Sequence, residues 1–217
     1  MAAQYVDGFL NRWFLDPIFK GSYPQDMVTL YASQGYLIPG SPADFELLRN
    51  NPGDFLGINM YSRGIQRYEP SNTFLYSADV RNSEATYSDM GWEVCPESLY
   101  DLLMDLKQHY GMPIWITENG GAFPDKLEKN GVIQDDDRLQ YLRGHLQSVQ
   151  KAIENQLDVR GYCVWSLFDN FEWGLGYSKR FGIIRVDYVT LQRSWKKSAY
   201  FYQKVCLSRS IPLKDEE

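Results

Sequence analysis

Residues 96–121 read PESLYDLLMDLKQHYGMPIWITENGG, and the order of elements within them points to the fold class. Pro96 suits the first turn of a helix, where its missing N–H is not needed. Gly111 is placed to end that helix. Residues 114–117 follow as a short, apolar, β-branched run that predicts a strand. Moving outward on the C-terminal side, Asp135, Asp136 and Asp137 put acids at a helix N-terminus, where the helix dipole favours them. Leu139, Leu142, Leu146, Val149 and Ile153 mark the face that this helix is expected to bury. Residues 161–167 (GYCVWSL) predict the next strand and 194–206 the last helix.

On the N-terminal side, residues 55–61 (FLGINMY) predict a buried strand. The stretch 62–91 between it and Pro96 is polar and rich in Tyr, Ser and Asn, which predicts a long functional or mobile loop. Residues 2–14 read as a helix with Val6, Phe9, Leu10, Trp13 and Phe14 at helical spacing, ended by Asp16-Pro17. It starts without a capping residue, an expectation of truncation. Pro24 opens a short helix closed by Gly35, and Ser41-Pro42 caps another that stops before Pro52.

Three strand–helix units with near-continuous apolar strands imply parallel strands covered by helices. An open doubly wound sheet and a closed eight-stranded barrel both satisfy that pattern. Gly174-Leu175-Gly176 is a weak dinucleotide-loop candidate, since it leads into YSKRFG rather than a helix. Three units cannot close a barrel by themselves. No repeat, low-complexity tract or linker divides the 217 residues, so one domain is expected.

The composition is that of a globular protein, 44% hydrophobic and 23% charged. A net charge of −6 without a basic cluster speaks against nucleic acid and anionic membranes as partners. Cys95, Cys163 and Cys206 are odd in number and widely spaced, which fits a reducing, cytoplasmic setting. No signal peptide or membrane span is visible. His109 and His145 lie on expected helices and are read as surface residues, leaving little for a metal site. Aromatics make up 15% of the chain, either as core filler or as stacking surfaces for sugars.

The strand ends carry the chemistry. In a barrel, residues at the C-terminal ends of strands converge on one site. These ends are Asn59-Met60-Tyr61, then Thr117-Glu118-Asn119-Gly120-Gly121, then Trp165 to Trp173 (WSLFDNFEW). Glu118 follows an apolar run, so it is a pocket carboxylate, an ordinary loop acid or a costly buried charge. Glu172 sits between Phe171 and Trp173, a setting that suits sugar hydroxyls and an apolar sugar face.

Ile116-Thr117-Glu118-Asn119-Gly120 resembles the nucleophile signature of glycoside hydrolase family 1, the β-glucosidase family. WSLFDNFEW, with Gly176-Tyr177 and Arg180-Phe181-Gly182 after it, resembles that family's sugar-binding strand and loop. FLGINMY and the earlier WFLDPIFKGSYP resemble its preceding stretches, in the same order. The resemblance implies the C-terminal portion of one (β/α)8 TIM barrel, about strands six to eight with their helices, over residues 1–217. It implies retaining hydrolysis of β-glucosides, with Glu118 as nucleophile and Tyr61 orienting it. Asn59 would join the sugar network, Trp165 would floor the subsite, Glu172 and Trp173 would bind hydroxyls, and Phe181 would wall the far end. Branches that take phosphorylated sugars have Ser and Tyr at the positions of Glu172 and Phe181, so an unphosphorylated sugar is implied. No cofactor or metal is implied.

The family's acid/base lies in an Asn-Glu-Pro motif ending the fourth strand, and this sequence contains none. Strands one to five would be absent, leaving open strand edges that invite self-association. Hydrolysis is therefore expected only with the N-terminal part of the barrel as partner. The alternatives are a non-catalytic sugar-binding module and a structural half-barrel.

Overall fold

The computed structural model describes residues 1–127 and 133–212. In chain order it forms α1 (Ala2–Asp7), α2 (Trp13–Lys20), α3 (Gln25–Ser33), α4 (Pro42–Asn50), β1 (Leu56–Asn59), β2 (Gln66–Tyr68), β3 (Ser77–Asp79) and α5 (Glu97–His109). There follow β4 (Ile114–Asn119), β5 (Lys126–Leu127), β6 (Ile133–Gln134), α6 (Asp136–Glu154), β7 (Val159–Val164), β8 (Ile184–Val186), β9 (Arg193–Trp195) and α7 (Lys197–Ser208). The chain divides into two units, Met1–Asp54 with Gly64–Ser83, and Phe55–Arg63 with Glu84 onward.

In the first unit the helix expected to end at Asp16-Pro17 instead runs on through Pro17 to Lys20. A π turn, Gly8–Arg12, joins α1 to α2, so the regular i→i−4 ladder is already interrupted before the proline. Gly21 then closes the helix with φ +69°, a left-handed conformation that suits glycine. Met27, Leu30, Tyr31 and Leu75 form the core, with Trp13 packed at its side. α4 begins as expected, with Ser41 and Asp44 in a reciprocal capping box. The stretch read as a loop contains an antiparallel hairpin, β2 with β3. Its strands are three residues each and polar, so they carry no apolar alternation.

The second unit is built on a parallel sheet in the order β1-β4-β7. Helices α5 and α6 pack on each other, and Ile114 and Ile116 are buried on the helix-covered side of β4. Trp115 and Thr117, which alternate with them, point to the other side and stay exposed. The strands are therefore half-buried rather than wholly buried as expected, and Phe55 is 51% exposed. Among the described residues the sheet does not close into a barrel, and its inner face is uncovered. Gly161 lies under the Trp115 ring, where any Cβ would come within 2.0 Å of the indole.

α6 buries Leu139, Leu142, Leu146 and Val149 as expected, but Ile153, in its last turn, is 50% exposed. His145, read as a surface residue, is fully buried. It stacks on Tyr141 with ring centroids 3.9 Å apart, and burial pushes its pKa down to about 4. The helix contacts α5, α7 and β7, so its buried arc is wider than its apolar stripe. The last helix starts at Lys197 rather than Ser194, because 193–195 pair with β8 as a short hairpin. Phe123, Leu139, Tyr141, Leu142, Ile183 and Phe201 lie in this unit's core. No helix among the described residues is long and apolar enough to cross a membrane.

Candidate active site

Glu118 stands near the C-terminal end of β4, beside an irregularity in the sheet. Ile58 pairs with Ile116 but Asn59 pairs with Glu118, so Thr117 is an extra residue opposite β1. The Thr117 hydroxyl lies 3.0 Å from the Ile58 carbonyl oxygen and 2.7 Å from Asn59 Oδ1. Tyr61, just beyond β1, donates its hydroxyl to Glu118 Oε2. Burial and the neighbouring charges of Glu118 and Glu172 raise the Tyr61 pKa far above the ordinary phenol range. The phenol is thus a fixed donor at any working pH.

β7 leads into the other side of the site. The Trp165 N–H donates to the Asn119 carbonyl at 2.9 Å. A Cβ on Gly120 would lie 1.7 Å from the Trp165 carbonyl oxygen, so only glycine admits this approach. The loop after Trp165 returns through Phe181: Ser166 N–H donates to Phe181 O at 3.3 Å and Ile183 N–H to Ser166 O at 2.9 Å. Asp169 is the anchor of that loop, accepting from Gly182 N–H at 3.0 Å and pairing with Lys196 at 3.0 Å and with Arg180. The anchored loop presents Glu172 and Trp173, whose side chain is largely exposed. Partial burial and the charge of Glu118 push the Glu172 pKa upward.

Asn59, Tyr61, Glu118, Trp165, Glu172, Trp173 and Phe181 all line one cleft of about 480 Å³. The seven residues singled out from the sequence are thus brought together. Asn170 and Phe171, within the same motif, line it too. Trp92 was missed; its ring centroid lies 5.3 Å from that of Tyr61 and 6.0 Å from that of Phe181. It lies just after the polar stretch 62–91, where no periodicity or motif marks it. The buried roles of Asn119 and Asp169 were missed as well, since burial of a polar side chain is not written in local sequence. A carboxylate steadied by a phenol and facing a cleft of indoles and acceptors suits a sugar ring, whose hydroxyls need acceptors and whose faces are apolar. Among the described residues no three His, Cys, Asp or Glu side chains form a group that could hold a metal ion.

Comparison with known proteins identifies the family. The family model "Glycosyl hydrolase family 1" matches residues 1–210. "Beta-glucosidase A" of Acetivibrio thermocellus is 42% identical over 206 residues, covering 94% of this chain and 46% of that protein. The crystal structure of a beta-glucosidase from Exiguobacterium marinum is 44% identical with a TM-score of 0.87, covering 96% of this chain and 47% of the other. The beta-glucosidase from Thermotoga maritima in complex with deoxynojirimycin is 37% identical with a TM-score of 0.89, over 97% and 47% of the two chains. The chain spans about half the length of the relatives it matches, and its three parallel strands with their helices are part of a TIM barrel. On the match of the family model over nearly all of its length, the chain belongs to glycosyl hydrolase family 1.

Proposed function

We propose that the protein to which this chain contributes hydrolyses β-glucosides and related unphosphorylated β-glycosides with retention, using Glu118 as nucleophile. Glu118 attacks the anomeric carbon and expels the aglycone, forming a covalent glycosyl-enzyme that water then opens. Tyr61 holds the attacking carboxylate in one orientation before and after attack. Trp165 floors the sugar, Asn59 joins the hydroxyl network, Glu172 and Trp173 take the hydroxyls at the far side, and Phe181 closes that end. The negative charge of Glu172 disfavours a phosphorylated sugar. The observation that carries the reading is the Tyr61–Glu118 hydrogen bond inside a cleft walled by these residues.

Retention needs a second carboxyl about 5–5.5 Å from the first, to protonate the leaving oxygen and then activate water. We assign that group to a segment outside this sequence, because the sequence has no Asn-Glu-Pro and its relatives are about twice as long. The partner is accordingly the N-terminal part of the same barrel, which would also cover the inner sheet face. No cofactor enters the scheme.

A dinitrophenyl β-glucoside with fluorine beside the anomeric carbon tests the assignment, since its leaving group departs without protonation. After incubation of the chain, with and without a segment supplying the first five strands, mass spectrometry of the digest should find one fluoroglucosyl group on the peptide bearing Glu118. Glu118→Gln should abolish it. Labelling of Glu172 instead, or of nothing while the sugar still binds, would replace the reading with a different nucleophile or with a sugar-binding module.

A further inference from the structure

We propose that Asn119 is the positioning residue for Glu118: its buried carboxamide locks the bulge that turns the carboxylate into the cleft. This rests on the reading of Glu118 as nucleophile. Along β4, Ile114 and Ile116 face the helices, while Trp115 and Thr117 face away. Strict alternation would send Glu118 back toward the helices. It does not go there, because past Ile116 β4 carries one residue too many against both neighbours, whereas at its start, between Ile114 and Trp115, the extra residue is Arg160 on β7. On the β1 side the register slips between Ile58 and Asn59; on the β7 side it slips between Ile116 and Asn119. The slip gives Glu118 to the cleft and Asn119 to the interior, where it is fully buried.

A slipped register needs something to hold it, and the Asn119 side chain makes the required bonds on three sides. Its Nδ2 donates to the Met60 carbonyl at 2.6 Å and to the Tyr141 hydroxyl at 3.2 Å. Its Oδ1 accepts from the Tyr162 hydroxyl. Tyr141 in turn donates to the Tyr61 carbonyl at 2.8 Å. One amide therefore ties together β7, through Tyr162, helix α6, through Tyr141, and the segment after β1 that carries Tyr61. The nucleophile and the phenol that orients it are both fixed from behind by the same group. Only a carboxamide supplies two donors and an acceptor here; Asp would lose both donors and add a buried charge, and Leu would bond to nothing.

The trap described above provides the test, run as a saturation series that separates inhibitor binding from the rate constant of attack. Asn119→Leu should slow attack about 10- to 100-fold, the cost of displacing a reacting atom by a fraction of an ångström. The inhibitor concentration for half-maximal rate should stay within about twofold, since no cleft-lining side chain is itself replaced. Tyr162→Phe, which keeps the ring and removes a single hydroxyl, should slow attack about tenfold and guards against a misfolded Leu variant. Attack at the unmodified rate in both folded variants, or a change confined to inhibitor binding, would overturn the positioning role while leaving Glu118 as nucleophile. An unmodified protein that is never labelled at Glu118 would overturn the underlying reading instead, and this inference with it.

Discussion

Asp169 and Asp135 on one side, and Glu118 and Glu172 on the other, are four carboxylates of the same unit with opposite surroundings. Asp169 is buried against Lys196, Arg180 and two backbone N–H groups. Asp135 pairs with Arg138 and accepts from the Ser198 N–H at 2.9 Å and from its hydroxyl. Asp125 lies 2.8 Å from Lys196 and 3.5 Å from Arg138, so the charges form a continuous compensated network. Among the described residues the cleft acids have no cation at hand: Glu118 takes a phenol, and Glu172 feels burial and the charge of Glu118. Compensated acids hold a loop in place. Uncompensated acids at the open end of the same sheet are left free to meet a ligand, and the anchored loop is what carries one of them there.

The contrast breaks most visibly if a cation is removed from the compensated group. Lys196→Met leaves Asp125 and Asp169 short of a partner, and loss of one member of a buried pair costs about 3–5 kcal/mol. Thermal or urea unfolding should register that loss, together with weaker sugar binding as the 165–183 loop loosens. Unchanged stability would mean that the network is solvated and not an anchor. Tyr61→Phe probes the other group. Loss of a hydrogen bond to a charged acceptor, about 1.5–3 kcal/mol, should slow trapping at Glu118 roughly 10- to 100-fold, a larger change than in inhibitor binding. An equal loss in binding and attack would instead make Tyr61 a part of the sugar wall.

The smallest effect concerns pH. The Glu172 pKa is raised in the folded chain, so between the ordinary glutamate range and that raised value the folded state holds more protons than the unfolded state. Its contribution to stability therefore falls as pH rises through that window, while sugar binding through the proposed Glu172 acceptor should rise. Glu172→Gln should flatten the stability slope and weaken binding at neutral pH. A slope that survives the substitution belongs to another group.

Much of this was legible in the sequence because the informative residues are contiguous. The run 114–121 contains a whole strand and its cleft-facing end, and WSLFDNFEW supplies five cleft-lining residues in nine positions. α6 declared its buried leucines through their spacing. Other features depend on contacts that spacing does not encode. The β2–β3 hairpin is too short and polar to alternate, and in β8–β9 only β8 alternates, over just three residues. Pro17 stays helical beside a π turn that no residue type announces. His145 and Asn119 look like surface polar residues and are buried because Tyr141 lies beside both. The bulge that aims Glu118 is a property of three strands together and is invisible in any one of them.

The most direct measurement is nitrophenol release from an aryl β-glucoside by this chain alone, by the chain mixed with a folded segment supplying the first five strands, and by the same mixture with Glu118→Gln. Turnover should rise on mixing by about 10²–10⁴-fold, the usual contribution of an acid/base group, and should vanish with the substitution. A mixture of two folded, associated parts that shows no turnover would contradict the account, as would turnover that survives Glu118→Gln.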